Sequence, residues 1–264
     1  MNSVELNDIV VNYSRRGSGN PVVLLHGLAE DHRSWEAVAT HLGSFTTFAV
    51  DLRGHGRTTA GQAAGTLSQL SDDLIMFLSA VSGPAAVVGY SLGGTIALRA
   101  AAVAPGLIRH LIVVATSSVV GSAAARFFEG RVAQIEAGDW AGFAAGLRND
   151  TSQQIITDAE LDSVTASRMA ATGDGRGYVN AARAMVGIRS EPLHPLLARI
   201  TIALDIVGAE GDVFCPRRAS DLIADAALHS RFHEIAGAGH LLSVDQPRAY
   251  GELLARLLRE SEAR

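Results

Sequence analysis

The chain contains no lysine. All 22 of its basic residues are arginine. That absence removes every mechanism built on a lysine Schiff base or a lysine general base. There is one cysteine, Cys215, so no internal disulfide can form. A reducing, cytoplasmic setting is therefore expected. Positive charge is also short: 27 acidic residues give a formal net charge of −5. No basic field is available to neutralise phosphates, which argues against a nucleic-acid partner. The segment Met1 to Val11 carries Glu5 and Asp8 and no basic-then-apolar pattern, so no signal peptide is read there. One run, Leu74 to Leu98, is free of charge for 25 residues, long enough to span a bilayer. Ser82-Gly83-Pro84, then Gly89, Gly93 and Gly94, punctuate it as helix, turn, strand, turn, helix. A membrane segment is not expected.

What is present is a globular composition. The 264 residues are 48% hydrophobic and only 5% aromatic. This length buries a core without disulfides or metals, and the abundant alanine and glycine suit tight helix–sheet packing. Short apolar runs alternate with helical periodicity. A strand pair is expected at Leu6 to Tyr13, and strands at Val22 to His26, Thr46 to Asp51, Ala85 to Tyr90, Ile108 to Ala115, Ile200 to Val207 and Phe232 to Ile235. Helices are expected at Trp35 to Leu42, Leu67 to Val81, Leu92 to Val103, Arg217 to Ala227 and Arg248 to Glu260. Leu70, Leu74, Phe77, Leu78 and Val81 fall on one face of the second. The tail after Glu260 is expected to fray. Alternation of this kind predicts a mostly parallel sheet covered on both faces. From about Ser117 to Arg189 the alternation stops and short helices follow one another. The expected division is a core of residues 1–116 and 191–264 with a helical cap at 117–190.

Gly89-Tyr90-Ser91-Leu92-Gly93 fits the G-x-S-x-G elbow. It follows a buried strand and opens a helix. A chain that turns from strand to helix this sharply strains the serine and brings the flanking positions together, so both are best as glycine. Four other segments join it. His26-Gly27 ends an apolar strand. Asp51-Leu52-Arg53-Gly54-His55-Gly56 forms a turn after the next. Gly208 to Pro216 is an acid-bearing loop with a trailing proline, and Gly237-Ala238-Gly239-His240 places a histidine in a glycine-rich loop.

On these segments the chain resembles the α/β-hydrolase superfamily, in particular its small capped esterases and enol-lactonases. The resemblance covers nearly everything outside the cap, in the order serine, acid, histidine. It implies an eight-stranded, mostly parallel α/β-hydrolase fold. It also implies hydrolysis of a carboxylic ester or lactone of a small, largely apolar molecule through an acyl-enzyme. Ser91 would be the nucleophile, His240 the general base and Asp212 the acid that orients the imidazole. The backbone N–H groups of Leu28 and Leu92 would form the oxyanion hole. Asp212 lies four residues after Gly208, one more than is usual. Glu210 is its rival in the loop, Asp205 lies within the strand, and the Asp212-x-x-x-Pro216 spacing favours Asp212.

Tyr90, Trp140 and Leu241 are taken as candidate substrate contacts. Phe127, Phe128, Phe143, Tyr178 and Met185 either line an apolar pocket or form the cap's own core. Glu30 and Asp31 are expected to face solvent, since an inward carboxylate would oppose an oxyanion. His26, His55 and Asp51 are read as loop-shaping residues, because no short metal-ligand spacing is present. No metal and no cofactor are expected. Cys215 lacks an elbow and is read as structural.

Serine at the elbow speaks against the dehalogenases and epoxide hydrolases of this fold, which carry aspartate, and the dienelactone hydrolases, which carry cysteine. The missing lysine speaks against hydroxynitrile lyases. Leu28-Ala29-Glu30-Asp31 departs from the glycine- and proline-rich run of carbon–carbon bond hydrolases. A carbon–carbon bond hydrolase or a haloperoxidase-like perhydrolase on the same triad, a ligand receptor on a hydrolase scaffold and a cofactor-free oxygenase remain as alternatives. The expected partner is a small-molecule substrate, with no membrane or nucleic acid, in a monomer or homodimer.

Overall fold

A computed structural model describes residues 1–262 of the protein. Its centre is an eight-stranded sheet ordered β1-β2-β4-β3-β5-β6-β7-β8. The strands are β1 (Asn2–Leu6), β2 (Ile9–Arg16), β3 (Pro21–Leu25), β4 (Thr46–Val50), β5 (Ala85–Tyr90), β6 (Ile108–Val114), β7 (Ala203–Ala209) and β8 (Ser230–Ile235). The segment Leu6 to Tyr13 is a hairpin: β1 and β2 pair antiparallel around Asn7, whose φ of 54° lets the chain reverse. β2 also pairs antiparallel with β4. Every other pairing is parallel. The middle strands are buried on both faces, as their unbroken apolar runs require.

The helices are α1 (Glu36–Ala39), α2 (Leu67–Phe77), α3 (Leu92–Val103), α4 (Ser122–Glu136), α5 (Trp140–Gln154), α6 (Leu161–Thr172), α7 (Arg176–Gly187), α8 (His194–Leu197), α9 (Arg217–Ala226), α10 (Leu242–Asp245) and α11 (Pro247–Glu262). Several boundaries differ from expectation. The helix expected over Trp35 to Leu42 is only a 3₁₀ turn, His32–Trp35, and the four residues of α1. Helix α2 gives way to one π turn, Leu78–Ser82, before Gly83 at φ 66°. Strand β7 begins at Ala203, because Ile200 closes the turn after α8 through its bond to the Leu197 carbonyl. Helix α11 continues to Glu262, and the remainder of the tail expected to fray, residues 263 and 264, lies outside the described residues. Among the described residues no helix is long and apolar enough to cross a membrane.

Two apolar clusters cover the two faces of the sheet. One packs α2, α3, α8 and α9 against it, the other α1 and α11. Helices α4 to α7 follow β6 and hold a smaller cluster around Phe143 and Tyr178. The chain runs from β3 to β4 on one side, then crosses back to β5 and continues to β8 on the other. The direction reverses between β3 and β5. In open parallel sheets the crevice at the carboxyl ends beside such a reversal is where ligands bind.

Candidate active site

The loops after β3, β5, β7 and β8 converge at that crevice. Ser91 lies between β5 and α3 at φ 50° and ψ −116°, a conformation that non-glycine residues rarely hold. It is fixed from three directions. Its N–H bonds the Val114 carbonyl at 2.8 Å, its own carbonyl accepts from the Gly94 and Thr95 amides, and the Thr116 hydroxyl donates to that carbonyl at 2.6 Å. The glycines are required by contact rather than by φ. A β-carbon at Gly89 would strike the Gly93 carbonyl, and one at Gly93 would strike the Leu25 and His26 carbonyls.

His240 meets Ser91 from the loop after β8. Its Nε2 lies 3.1 Å from Ser91 Oγ, and its Nδ1 lies 2.8 Å from Asp212 Oδ2. Asp212, after β7, has no exposed side-chain surface. Its second oxygen accepts the N–H groups of Phe214 at 2.8 Å and Cys215 at 2.9 Å. Burial alone would raise its carboxyl. The facing His240 and the two amides outweigh burial and hold it below the usual carboxylate range. The rival acids are occupied elsewhere. Glu210 accepts the Gly237 N–H, and Asp205 is bound by His110, Arg231 and His233.

The histidine is braced on every side. The Tyr90 hydroxyl donates to the His240 carbonyl at 3.0 Å, and the Tyr90 and Phe214 rings pack at 5.3 and 5.6 Å from the imidazole. On either side of it, Gly239 N–H donates to Asp245 at 2.8 Å and Leu241 N–H to the Gln154 carbonyl at 3.1 Å. A hydroxyl against an imidazole backed by a buried carboxylate can give up its proton to that imidazole.

Leu92 is the first residue of α3, where backbone N–H groups have no helical acceptor. Leu28 follows His26-Gly27 after β3, just before Ala29 turns the chain at φ 59°. Neither amide has a protein acceptor among the described residues. Both residues line a cavity of about 630 Å³ together with Ser91 and His240. Tyr90, Phe127, Phe128, Tyr178 and Met185 line it as well.

The packing corrects several expectations. Trp140 does not line the cavity. It starts α5, 39% exposed, with its ring edge-on to Phe143 at 6.0 Å. Phe143 is buried against Tyr178 inside that cluster. Leu241 also misses the cavity. The chain turns after His240, so its side chain joins the core with Leu242 and Tyr250. Glu30 and Asp31 are buried, not solvent-facing. Glu30 accepts the Gly27 N–H at 3.2 Å, and Asp31 caps the 3₁₀ turn and pairs with Arg33. Their carboxylates hold the loop together from behind.

His26 joins two loops: its Nδ1 bonds the Gly27 carbonyl and its Nε2 accepts the Leu52 N–H. Asp51 accepts from His32 and from the Arg57 amide. His55 is buried, which pushes its ring down to about 3 and keeps it neutral. Burial, with the Asp212 carboxylate beside it, pushes the Cys215 thiol well above its usual range, so it is a poor nucleophile. Sequence reasoning missed Thr116, Phe214 and Arg168. Thr116 directly follows an expected strand, and Phe214 lies inside the recognised Gly208 to Pro216 loop. Nothing in the local pattern around Arg168 marks it, because its partners lie on other elements.

A family model described as the α/β hydrolase fold matches residues 20–247. The chain belongs to the α/β-hydrolase fold family. Within that family it is similar to a 2-(acetamidomethylene)succinate hydrolase from Mesorhizobium japonicum, 30% identical over 131 residues, which is 49% of this chain and 47% of that protein. The match thus spans about half of that relative's length. The enol-lactonase from Burkholderia xenovorans LB400 superposes with a TM-score of 0.86 at 20% identity, over 98% of this chain and 100% of that one. An esterase from Exiguobacterium antarcticum gives 0.84 at 18%, over 95% and 96%. At these identities the structural likeness speaks to the fold.

Proposed function

We propose that the protein is a serine hydrolase that cleaves a carboxylic ester or lactone through an acyl-enzyme. The observation that carries this reading is the chain of contacts Ser91 Oγ to His240 Nε2 at 3.1 Å and His240 Nδ1 to Asp212 at 2.8 Å, at the floor of a largely apolar cavity. In this reading His240 takes the Ser91 proton as Oγ attacks the substrate carbonyl. The oxygen of the tetrahedral intermediate accepts hydrogen bonds from the Leu28 and Leu92 amides. His240 then protonates the leaving alkoxide, and the carbon–oxygen bond breaks to leave an ester on Ser91. Water, deprotonated by the same imidazole, attacks that ester and restores the serine. Asp212 keeps the proton on Nδ1 and stabilises the imidazolium. Helices α4 to α7 act as a cap that excludes water and shapes the substrate space. The apolar lining suits a small apolar acyl or alcohol group. The relatives' hydrolase, lactonase and esterase descriptions agree with this chemistry.

Replacement of Ser91 by alanine tests it. Ser91→Ala should abolish turnover of a short p-nitrophenyl ester with an unchanged unfolding transition. A fluorophosphonate should add to the wild-type chain at Ser91 alone. Esterase activity that survives Ser91→Ala would refute the reading.

A further inference from the structure

Helix α6 buries Thr165, Arg168, Ala171 and Thr172 on one side. Arg168 is only 8% exposed. Its hydrogen-bond partners among the described residues are all neutral. Nη1 donates to Thr151 Oγ1 at 2.8 Å and Gln154 Oε1 at 2.6 Å, and Nη2 reaches the Leu28 carbonyl at a long 3.4 Å. Nε has no partner. Asp150 and Glu30, which line cavities with Arg168, are committed elsewhere. Asp150 is held bidentately by Arg131 at 2.8 and 2.9 Å, and Glu30 accepts the Gly27 amide. A buried cation without an acid partner carries an uncompensated desolvation cost. Arg168 nevertheless lines the cavity that holds Ser91 and His240. Arg218 is exposed, lines the same cavity, and has no acid partner among the described residues.

We propose that Arg168 is an anion-binding subsite and that the natural substrate is an ester or lactone bearing a free carboxylate. Nε is buried, and Nη2 makes only the one long bond to the Leu28 carbonyl, so Nη2 keeps a charge-assisted donor for an oxygen of a carboxylate. One buried positive charge balances one negative charge, which suits a carboxylate better than a dianionic phosphate. The cavity that holds both Arg168 and Ser91 is largely apolar, with Phe128 and Met185 in its wall, which suits a short hydrocarbon chain joining the carboxylate to the scissile carbonyl. Arg218, without an acid partner of its own, favours entry of an anion. The choice of Ser91 as the point of cleavage rests on the serine-hydrolase reading; the anion subsite does not.

The test compares two esters cut at the same activated carbonyl: mono-p-nitrophenyl glutarate, which carries a carboxylate, and neutral p-nitrophenyl valerate. Wild type should favour the glutarate ester in kcat/KM by at least tenfold. In Arg168→Gln the ratio of the two should fall on the order of 10- to 100-fold, the usual worth of hydrogen bonds to a charged group. Arg168→Lys should keep part of the preference. A wild type without preference for the anionic ester, or an Arg168→Gln enzyme with the wild-type ratio, would overturn the subsite and leave Arg168 as a support for Leu28. Calorimetric binding of glutarate, which cannot be hydrolysed, separates the two readings. If wild type cleaves neither ester but binds glutarate in an Arg168-dependent way, the hydrolase reading falls and the subsite stands. If the esters are cleaved but glutarate binding is unchanged in Arg168→Gln, the subsite falls and the hydrolase reading stands.

Discussion

Asp212→Asn is nearly isosteric, yet the hydrogen bonds around it force a large effect. One Asp212 oxygen accepts the Phe214 and Cys215 amides, and the other faces His240 Nδ1 at 2.8 Å. An asparagine must keep its single oxygen on the two amides, since the opposite orientation would leave two buried N–H groups facing an NH₂. The NH₂ therefore points at Nδ1 and requires it to accept. The imidazole proton moves to Nε2, where it faces Ser91 Oγ and blocks uptake of the hydroxyl proton. In serine enzymes with this arrangement, the same exchange lowers kcat roughly 10⁴-fold. At about 1.4 kcal/mol per decade this is ~5 kcal/mol of barrier. The assay is steady-state hydrolysis of p-nitrophenyl acetate at pH 7.5, with thermal unfolding as the check on the fold. Glu210→Gln is the control. Glu210 only accepts the Gly237 amide, so its loss should change kcat by no more than about threefold. An Asp212→Asn enzyme within tenfold of wild type, or a large loss confined to Glu210→Gln, would refute the assignment of the acid.

Other perturbations test the scaffold. Gly93→Ala gains at most about 1 kcal/mol of helix propensity. Its β-carbon presses on the Leu25 and His26 carbonyls, a clash of about 1–3 kcal/mol or more, so the melting temperature should fall; a rise would show that β3 yields. Asp205 has a fully buried carboxylate, bound by His110 at 2.7 Å, His233 at 2.8 Å and Arg231 at 2.9 Å. Asp205→Asn should cost about 3–5 kcal/mol in urea unfolding at pH 7. Burial would raise this carboxyl, but those three partners hold it well below the usual range. Its contribution is therefore complete above the unfolded-state value near 4 and is lost as the pH falls below that. Urea titrations from pH 2 to 7 should show this acid slope in wild type and its reduction in Asp205→Asn. Asp245 accepts from the Gly239 amide at 2.8 Å, and from the Thr157 amide at 3.1 Å and hydroxyl at 2.6 Å. It ties the His240 loop to the segment between α5 and α6. Asp245→Ala should lower both stability, by about 2–4 kcal/mol, and kcat; wild-type kcat in the variant would show that His240 is held without this tie.

Much of this molecule is written locally. A short apolar run bounded by glycine or proline, as in Val22 to Leu25 or Ala85 to Val88, reads as a strand buried on both faces because it is too short for a buried helix. Gly89 and Gly93 around Ser91 demand a sharp strand-to-helix turn because nothing larger fits. The order of these segments then fixes a parallel sheet, and with it the convergence of Ser91, Asp212 and His240 at one edge. The sequence favoured Asp212 over Glu210 only through its spacing to Pro216, because the two acids share one loop, two residues apart. Which carboxylate meets the imidazole depends on where the amides of Phe214 and Cys215 turn it.

Tertiary structure alone decided the rest. Trp140 and Leu241 have the residue type of substrate contacts, yet one stays partly exposed against Phe143 and the other joins the core with Leu242 and Tyr250, because helix packing and chain reversal aim side chains without regard to their type. Glu30 and Asp31 are buried because backbone amides and Arg33 compensate them. Arg168 was invisible for the opposite reason. A buried charge is recognised by the partners it lacks, and the absence of a partner is a property of the packed molecule, not of any stretch of chain.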